Sequence, residues 1–202
     1  MLNIAVLVSG GGTNLQALLD AQKSGALHSG RIALVLSNKE GAYALTRARG
    51  AGVAAETLPR VPNETPAEYG ARLLERLRAH RIDMVVLAGF LLILDACVIR
   101  AYEGRIVNVH PSLIPAFCGE GYYGLRVHRA ALARGVKVTG ATVHIVNEVA
   151  DGGQILAQKA VEVLPGDTPE TLQKRVMEQA EWILLPQETE KLAQRLEKER
   201  HE

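Results

Sequence analysis

The sequence predicts an α/β protein with a Rossmann-like, doubly wound sheet that is mainly parallel and ends in antiparallel C-terminal strands. Through the first half of the chain, short apolar runs alternate with segments whose apolar residues recur at helical spacing. Such alternation is typical of crossover connections and of a parallel sheet. Later, two β-rich runs are separated only by a turn-rich stretch, which indicates an antiparallel pair. The length of 202 residues favours a single domain, 1–202.

Each predicted element has its own signal. Four apolar runs have the length of strands that are buried on both faces: Ile4 to Val8, Ile32 to Leu36, Met84 to Leu87 and Ile106 to Val109. Three segments between them show helical spacing: the stripe of Leu15, Leu18 and Leu19, the stretch Tyr43 to Arg49, and the series Tyr69, Leu73, Leu74 and Leu77. The β-rich runs are Thr139 to Val146 and Gln154 to Val163. Glu170 to Glu199 is helical in pattern, with an interruption expected at Pro186 and fraying at the charged end.

The composition disfavours several classes of partner. The 23 lysines and arginines balance 22 acids, so a formal net charge of +1 provides no charged surface for nucleic acid or a membrane. No apolar stretch approaches the roughly 20 residues that cross a bilayer. Cys97 and Cys118 lack a CxxC spacing, and the start of the chain has neither a basic region nor a cleavage site, which fits a reducing cytoplasm. We expect a soluble cytoplasmic protein that acts on small molecules.

A glycine-rich turn, Ser9 to Asn14, follows the first predicted strand and opens a helix. Backbone N–H groups at such a helix start can approach an anion closely, so the turn predicts a phosphate site. A dinucleotide fingerprint fits less well, because Leu15 replaces its third glycine and no ribose-binding acid ends the second strand. A P-loop is excluded because the Gly-Lys-Ser/Thr sequence is missing. The structural alternative is a tight turn capped by Thr13 or Asn14.

An amide, an imidazole and a carboxylate are available for one site. Asn108 and His110 lie two positions apart at the end of a predicted strand, so both side chains leave the same face. Pro111 and Pro115 prevent a regular continuation. When a nucleophile adds to a carbonyl carbon, the N–H of Asn108 and a protonated His110 would stabilise the charge that develops on oxygen. Asp151 would raise the pKa of His110 and keep the ring cationic near neutral pH, although judged alone it is equally a turn aspartate.

Other polar residues fit a site less well. His128 and His144 could join His110 and Asp151 around a metal such as zinc, but no HxH or HxxxH pair occurs, and we expect no metal. His144 lies in a β-rich run, where a buried hydrogen-bonding role is the preferred interpretation. Cys118 has no neighbouring base in sequence and is interpreted as a loop thiol rather than a nucleophile. The glycines around it indicate a mobile loop near the site.

The segment Leu87 to Leu94 can be interpreted both as part of the hydrophobic core and as part of a ligand pocket. Its residues are all apolar or small, and core packing accounts for Leu87 and Ile93. Gly89 and Phe90, however, interrupt a buried strand where a flat heterocycle could lie against exposed backbone amides. Both interpretations can hold together.

Five motifs occur in order across nearly the whole chain and together resemble the phosphoribosylglycinamide formyltransferase family: Val8 to Gln16, Ala88 to Phe90, Asn108 to Pro115, Gly140 to His144 and Asp151 to Gly153. The resemblance implies a formyltransferase fold and an enzyme of de novo purine biosynthesis. Its co-substrate would be 10-formyltetrahydrofolate, and its acceptor would be the amine of 5-phosphoribosylglycinamide. No metal is implied, and the resemblance leaves a homodimer open as the assembly.

The resemblance also implies where the two substrates bind. The phosphate and the ribose hydroxyls would be held by Gly12, Thr13, Asn14 and Glu181. The folate would be bound by Leu91, Leu92, Ile93, Leu94 and Asn108, together with the loop that leads to Asp151. On this interpretation, 1–100 is the phosphate-binding half of the chain and 101–202 is the catalytic and folate-binding half.

By the same matching, three residues would carry the chemistry. Asn108 would contact the transferring formyl group, His110 would donate a proton and stabilise the oxyanion, and Asp151 would set the charge of His110. Two features depart from the family pattern. Leu92 stands where members often have a basic residue, and the segment from Phe117 to Gly124 is longer than in some members.

Three alternatives to the formyltransferase interpretation stay open. A hydrolase could deformylate the same folate, because water can replace the amine in an identical triad, although hydrolases of this kind typically carry a preceding regulatory domain. A methionyl-tRNA formyltransferase would need an additional C-terminal domain and a basic surface. A non-catalytic folate-binding or nucleotide-binding module would bind ligand without turnover.

Overall fold

The computed structural model describes residues 1–200, which form one seven-stranded sheet with the order β3-β2-β1-β4-β5-β6-β7. Residues 201 and 202 of the single domain expected over 1–202 lie outside this range. The strands are β1 (Leu2–Val8), β2 (Gly30–Ser37), β3 (Ala54–Thr57), β4 (Met84–Leu87), β5 (Ile106–His110), β6 (Val138–Ile145) and β7 (Ile155–Glu162). The pairs from β3 to β5 are parallel, whereas β5–β6 and β6–β7 are antiparallel. The predicted fold class is confirmed.

Helices cover both faces of the sheet and divide its core into two layers. They are α1 (Thr13–Ser24), α2 (Tyr43–Gly50), α3 (Pro66–Ala79), α4 (Ala96–Ala101), α5 (Leu125–Arg134), α6 (Pro169–Val176) and α7 (Trp182–Glu199). Along β1, Ile4, Val6 and Val8 pack with α1, α2, α6 and α7, while Ala5 and Leu7 pack with α3 and α4. Successive side chains of a strand point to opposite faces, so a continuous apolar run serves both layers.

Three elements of the structure have no counterpart in the sequence prediction. Strand β3 is a four-residue edge strand whose side chains are exposed or half-buried, so it lacks an apolar run. Helix α4 has only six residues, which is too short for helical periodicity to be recognised. Helix α5 buries only Val127, His128 and Ala131, a sparse stripe that includes a polar residue.

The interruption expected at Pro186 is wrong, because Pro186 lies inside α7. The irregular backbone lies one turn earlier, where Met177–Glu181 forms a π-helical turn between α6 and α7. Proline cannot donate to the carbonyl four residues before it, which here belongs to Trp182. Trp182 directly follows the π turn, so the two irregularities adjoin and the helical chain continues through both of them.

The topology brings the predicted site segments to one edge of the sheet. The carboxyl ends of the parallel strands β1, β4 and β5 lie at this edge, and they lead into the glycine-rich turn, the segment after Leu87, and the proline-rich loop after His110. Strand β1 lies between β2 and β4, so the crossover direction reverses there. Ligands of open α/β sheets bind in the crevice that this reversal creates.

Within residues 1–200, none of the helices combines the length and apolar character that crossing a membrane requires.

Candidate active site

A cavity of about 690 Å³ opens at the carboxyl ends of β1, β4 and β5. Most residues that the sequence predicted for the site line it: Asn14, Leu91, Leu92, Ile93, Leu94, Asn108, His110, Asp151 and Glu181. Gly12 and Thr13 are not part of its wall and lie in the adjoining turn. The wall also contains His144 and polar residues that the sequence did not single out, including Glu120, Asn147, Glu148 and Gln173. An apolar pocket with a few converging polar groups is typical of small-molecule sites.

The structure brings Asn108, His110 and Asp151 together at one end of this cavity. Asn108 and His110 leave the same face of β5, and the loop between β6 and β7 carries Asp151 to them. The Asp151 Oδ2 atom lies 3.4 Å from His110 Nδ1. Asp151 has a φ of 53°, a left-handed conformation that aspartate and asparagine adopt more readily than most residues. The turn therefore aims the carboxylate back at the strand.

A second imidazole, His144, joins the same cluster and was not predicted to do so. It is opposite Asn108 in the register of β5 and β6. Its Nδ1 donates to the Ile145 carbonyl at 2.9 Å, which leaves Nε2 to accept from Asn108 Nδ2 at 3.1 Å. The same Nε2 is 3.5 Å from Asp151 Oδ1. The predicted buried hydrogen-bonding role is confirmed, but its partners include the site residue Asn108. The signals in the sequence were the alternation of faces along β6 and the motif Gly140 to His144.

The environment of Asp151 favours its charged form. Burial opposes the charge, but the His144 ring, the Gly119 N–H and the His110 ring together outweigh it and lower the pKa of Asp151. The Gly119 N–H donates to Asp151 Oδ2 at 2.8 Å. Asp151 is therefore a carboxylate throughout the neutral range.

His110 behaves differently from the prediction that Asp151 would hold it cationic. Burial is the largest influence and lowers the pKa of His110, even though Asp151 and the Phe117 carbonyl act in the opposite direction. The ring is only 4 % exposed, so little water solvates an imidazolium there. The expected rise in the pKa of His110 is therefore wrong: burial outweighs the effect of Asp151, and the pKa of the ring lies below its ordinary value.

The loop from Phe117 to Gly124 covers the cluster and contacts two of its members. His110 Nε2 donates to the Phe117 carbonyl at 2.9 Å, and the Gly119 N–H holds Asp151. Tyr122 and Tyr123 from this loop line the cavity and are partly exposed. A movement of the loop would therefore change the hydrogen bonding of both His110 and Asp151.

The glycine-rich turn is held from behind by α2. The Gly10 carbonyl accepts from the Ala44 N–H at 3.1 Å, and the Gly11 carbonyl accepts from Arg47 Nε at 2.9 Å. Gly12 has a φ of 74°, and a Cβ there would lie 2.6 Å from the Ala44 Cβ, so only glycine fits. The turn is therefore rigid at the point where α1 begins.

Asn14 and Glu181 form a buried polar pair in the cavity wall. Asn14 Nδ2 donates to Glu181 Oε2 at 2.7 Å, while the buried Asn14 Oδ1 has no partner within residues 1–200. Burial raises the pKa of Glu181 to about 7, and the hydrogen bond from Asn14 only partly opposes this. Unsatisfied polar groups of this kind are expected where a polar ligand binds.

Replacing Glu181 with glutamine should remove a pH dependence of stability. The pKa of Glu181 is raised from 4.5 to about 7 on folding, so between these values the unfolded chain loses its proton first. The wild-type protein should therefore lose up to about 3 kcal/mol of unfolding free energy, relative to Glu181→Gln, as pH rises through this window. Urea unfolding of both proteins at several pH values measures the difference. Parallel stability curves would contradict the raised pKa.

The segment after β4 offers an apolar surface and free backbone groups. Leu91 and Ile93 are exposed to the cavity side, by 47 % and 70 %, whereas Leu87 and Leu94 are buried. The core packing expected for Ile93 is therefore wrong, while that expected for Leu87 is confirmed. The Leu91 N–H donates to Ser9 Oγ at 2.8 Å, so that amide is not available to a ligand. The amides of Leu92, Ile93 and Leu94 have no acceptor within residues 1–200.

The remaining candidates lie beside the cluster rather than in it. His128 is fully buried on α5, burial lowers its pKa to about 4, and neither ring nitrogen has a partner in the described chain. The Cys118 thiol donates to the Pro115 carbonyl at 3.3 Å, in agreement with a loop thiol. In residues 1–200, no group of three histidine, cysteine or acidic side chains is arranged to hold a metal ion.

The fold and the cluster of Asn108, His110 and Asp151 are those of a formyl transferase, and comparison with known sequences gives the same class of enzyme. Residues 2–189 match the formyl transferase family, and the chain belongs to that family. Among solved structures, glycinamide ribonucleotide transformylase 1 from Symbiobacterium toebii is similar, with a TM-score of 0.90, 42% identity and coverage of 96% of this chain and 88% of that one. The phosphoribosylglycinamide formyltransferase of Bacillus halodurans has a TM-score of 0.86 and 37% identity over 94% of each chain.

Curated relatives carry the same name. The phosphoribosylglycinamide formyltransferase of Escherichia coli (strain K12) is 40% identical over 178 residues, which cover 88% of this chain and 81% of the relative. The chloroplastic enzyme of Vigna unguiculata is 42% identical over 174 residues, or 86% of this chain. The chain spans little more than half, 55%, of the length of that plant relative.

Proposed function

We propose that this protein transfers the formyl group of 10-formyltetrahydrofolate to the amine of 5-phosphoribosylglycinamide, in de novo purine biosynthesis. The observation that carries the proposal is the convergence of Asn108, His110 and Asp151 in one cavity. The names of the relatives with similar sequences and structures support the same activity. Cys97 and Cys118 of this protein are not joined in a disulfide, which fits a reducing cytoplasm as the location of the protein.

The acceptor would bind at the end of the cavity nearest the glycine-rich turn. The turn would hold the phosphate through Gly12, Thr13 and Asn14, because the backbone N–H groups at the start of α1 point into that region. Glu181 would accept hydrogen bonds from the ribose hydroxyls, and the unpartnered Asn14 Oδ1 would accept from a substrate N–H. These contacts orient the amine towards Asn108.

The folate would occupy the wall formed by Leu91, Leu92, Ile93 and Leu94. The exposed Leu91 and Ile93 side chains provide an apolar surface for the pterin ring, and the free amides from Leu92 onward can donate to its polar edge. Because Leu92 is apolar, a side-chain ion pair to the glutamate tail is not available at this position. The formyl group would then reach Asn108.

The chemical step would be a direct attack without a covalent enzyme species. The acceptor nitrogen bonds to the formyl carbon and gives a tetrahedral intermediate, whose oxygen carries the negative charge. One N–H of Asn108 donates to His144, and the other is free to donate to that oxygen. Collapse breaks the bond to N10 of the folate, and the proton lost by the amine passes to N10.

In this step His110 would transfer the proton and Asp151 would stabilise the positive charge on His110. The neutral His110 ring accepts the proton of the attacking amine, and the adjacent Asp151 carboxylate stabilises the imidazolium that forms. The imidazolium then stabilises the oxyanion and returns the proton to the leaving nitrogen. Burial makes the ring neutral before the reaction, so it can act first as a base and then as an acid.

An assay with and without the acceptor tests the proposal. We expect 10-formyltetrahydrofolate to be consumed only when phosphoribosylglycinamide is present, with formylated product appearing in equal amount. Release of formate at a rate that phosphoribosylglycinamide does not change would instead establish the hydrolase alternative. Ligand binding without any turnover would indicate a non-catalytic module.

A further inference from the structure

We infer that Arg47, on α2 behind the glycine-rich turn, is a positioning residue that prepares the turn for the phosphate of the acceptor. The inference rests on the proposed function and adds a residue outside the cavity wall to it. Arg47 Nε donates to the Gly11 carbonyl at 2.9 Å, and Arg47 Nη1 donates to Gln16 Oε1 at 3.0 Å. The side chain thereby connects α2 with both the turn and the first helix.

The hydrogen bonds to α2 determine which way the peptide groups of the turn face. In a trans peptide, the carbonyl of one residue and the N–H of the next point in opposite directions. The carbonyls of Gly10 and Gly11 accept from Ala44 and Arg47, so the N–H groups of Gly11 and Gly12 point away from α2. Neither N–H has an acceptor within residues 1–200. Two free donors thus face the same side, as an anion-binding turn requires.

The charge of Arg47 adds to this orientation. A phosphate monoester carries about two negative charges near neutral pH. The described wall of the cavity contains no lysine or arginine, whereas it contains the acidic side chains of Glu120 and Asp151. A cation beside the turn would offset the repulsion between these acids and the phosphate.

Arg47 is suited to that task because its own charge is not neutralised. Its hydrogen-bond acceptors are a carbonyl and an amide oxygen, and it forms no ion pair with a carboxylate of residues 1–200. The ring of Tyr43 lies over the guanidinium, with its centroid 5.0 Å from Cζ. The Tyr43 ring covers one face of the guanidinium, so water screens the positive charge of Arg47 less on that side. The field of this charge therefore acts on the turn.

Substitution of Arg47 should affect only the phosphorylated substrate. We expect Arg47→Met to raise KM for phosphoribosylglycinamide about tenfold, with kcat and KM for 10-formyltetrahydrofolate unchanged, as loss of uniform binding predicts. With the phosphate-free glycinamide riboside as acceptor, kcat/KM should be the same in both proteins. Arg49→Met is the matched control, since Arg49 is exposed on the same helix and its side chain makes no hydrogen bond or ion pair in the described residues.

The outcomes separate this inference from the proposed function. An unchanged KM in Arg47→Met, or an equal loss with both acceptors, would overturn the role of Arg47 while formyl transfer itself stands. Failure of the unsubstituted protein to formylate phosphoribosylglycinamide would overturn the proposed function and this inference with it. If Arg47→Met does not fold, Arg47→Lys and Arg47→Gln replace it, and a lower KM is expected for lysine; equal KM values would overturn the inference.

Discussion

Replacing Asp151 with asparagine should reduce kcat by about a thousandfold, because it removes the charge that stabilises a protonated His110 in the transition state. The shape of the site should persist. Asparagine tolerates the φ of 53° at this position, and its amide oxygen can still accept from the Gly119 N–H. Single-turnover measurements with saturating substrates report the chemical step directly.

Asp20→Asn provides the control for the loss of a carboxylate. Asp20 is exposed on α1, and within residues 1–200 its side chain accepts only from Gln16, so its substitution should leave kcat unchanged. The free energy of unfolding of both variants should match that of the unsubstituted protein to within about 1 kcal/mol. Turnover at the unsubstituted rate in Asp151→Asn would remove Asp151 from the proposed chemistry.

Replacing His110 with alanine should be at least as damaging and should lower kcat about a thousandfold. The substitution removes both the base for the attacking amine and the donor for the oxyanion. Because Asp151 is proposed to act through His110, the double variant His110→Ala, Asp151→Asn should be about as slow as either single variant, and not slower by the product of the two. Substrate KM values should change little, since neither side chain is proposed to anchor the phosphate or the pterin.

His28→Ala is the matched control for the loss of an imidazole. The His28 side chain is 63% exposed and pairs with Glu190 away from the cavity. Its substitution should leave both kcat and KM unchanged. Multiplicative losses in the double variant would show that Asp151 and His110 act independently, which contradicts the pairing proposed from their 3.4 Å separation.

The pairing of β5 with β6 places His144 where it can orient the Asn108 side chain. Since β5 and β6 pair antiparallel with Asn108 opposite His144, the imidazole fixes which way the Asn108 amide faces. Its Nδ1 donates to the Ile145 carbonyl, and its Nε2 lies 3.1 Å from the Asn108 amide nitrogen. The amide oxygen and nitrogen of Asn108 are thus assigned by the hydrogen-bond network, and an N–H remains directed at the cavity.

Local sequence patterns anticipated much of the fold and part of the site. Apolar runs such as Ile4 to Val8 specify a buried strand by themselves, because every successive side chain must be apolar when both faces are covered. The two-residue spacing of Asn108 and His110 places them on one face by the same geometry. The edge strand β3 and the short helix α4 carry no comparable pattern, since few of their side chains are buried in a regular series.

The sequence by itself determined the strand and helix alternation, the position of the glycine-rich turn, and the identity of the amide, imidazole and carboxylate residues. These features follow from steric and periodic rules that act over a few neighbouring residues. Only the tertiary structure decided that His144 joins the cluster, that Arg47 lies behind the turn, and that burial lowers the pKa of His110. The physical reason is that hydrogen-bond partners and desolvation depend on everything packed around a group, and His110 and Asp151 are 41 positions apart in the chain.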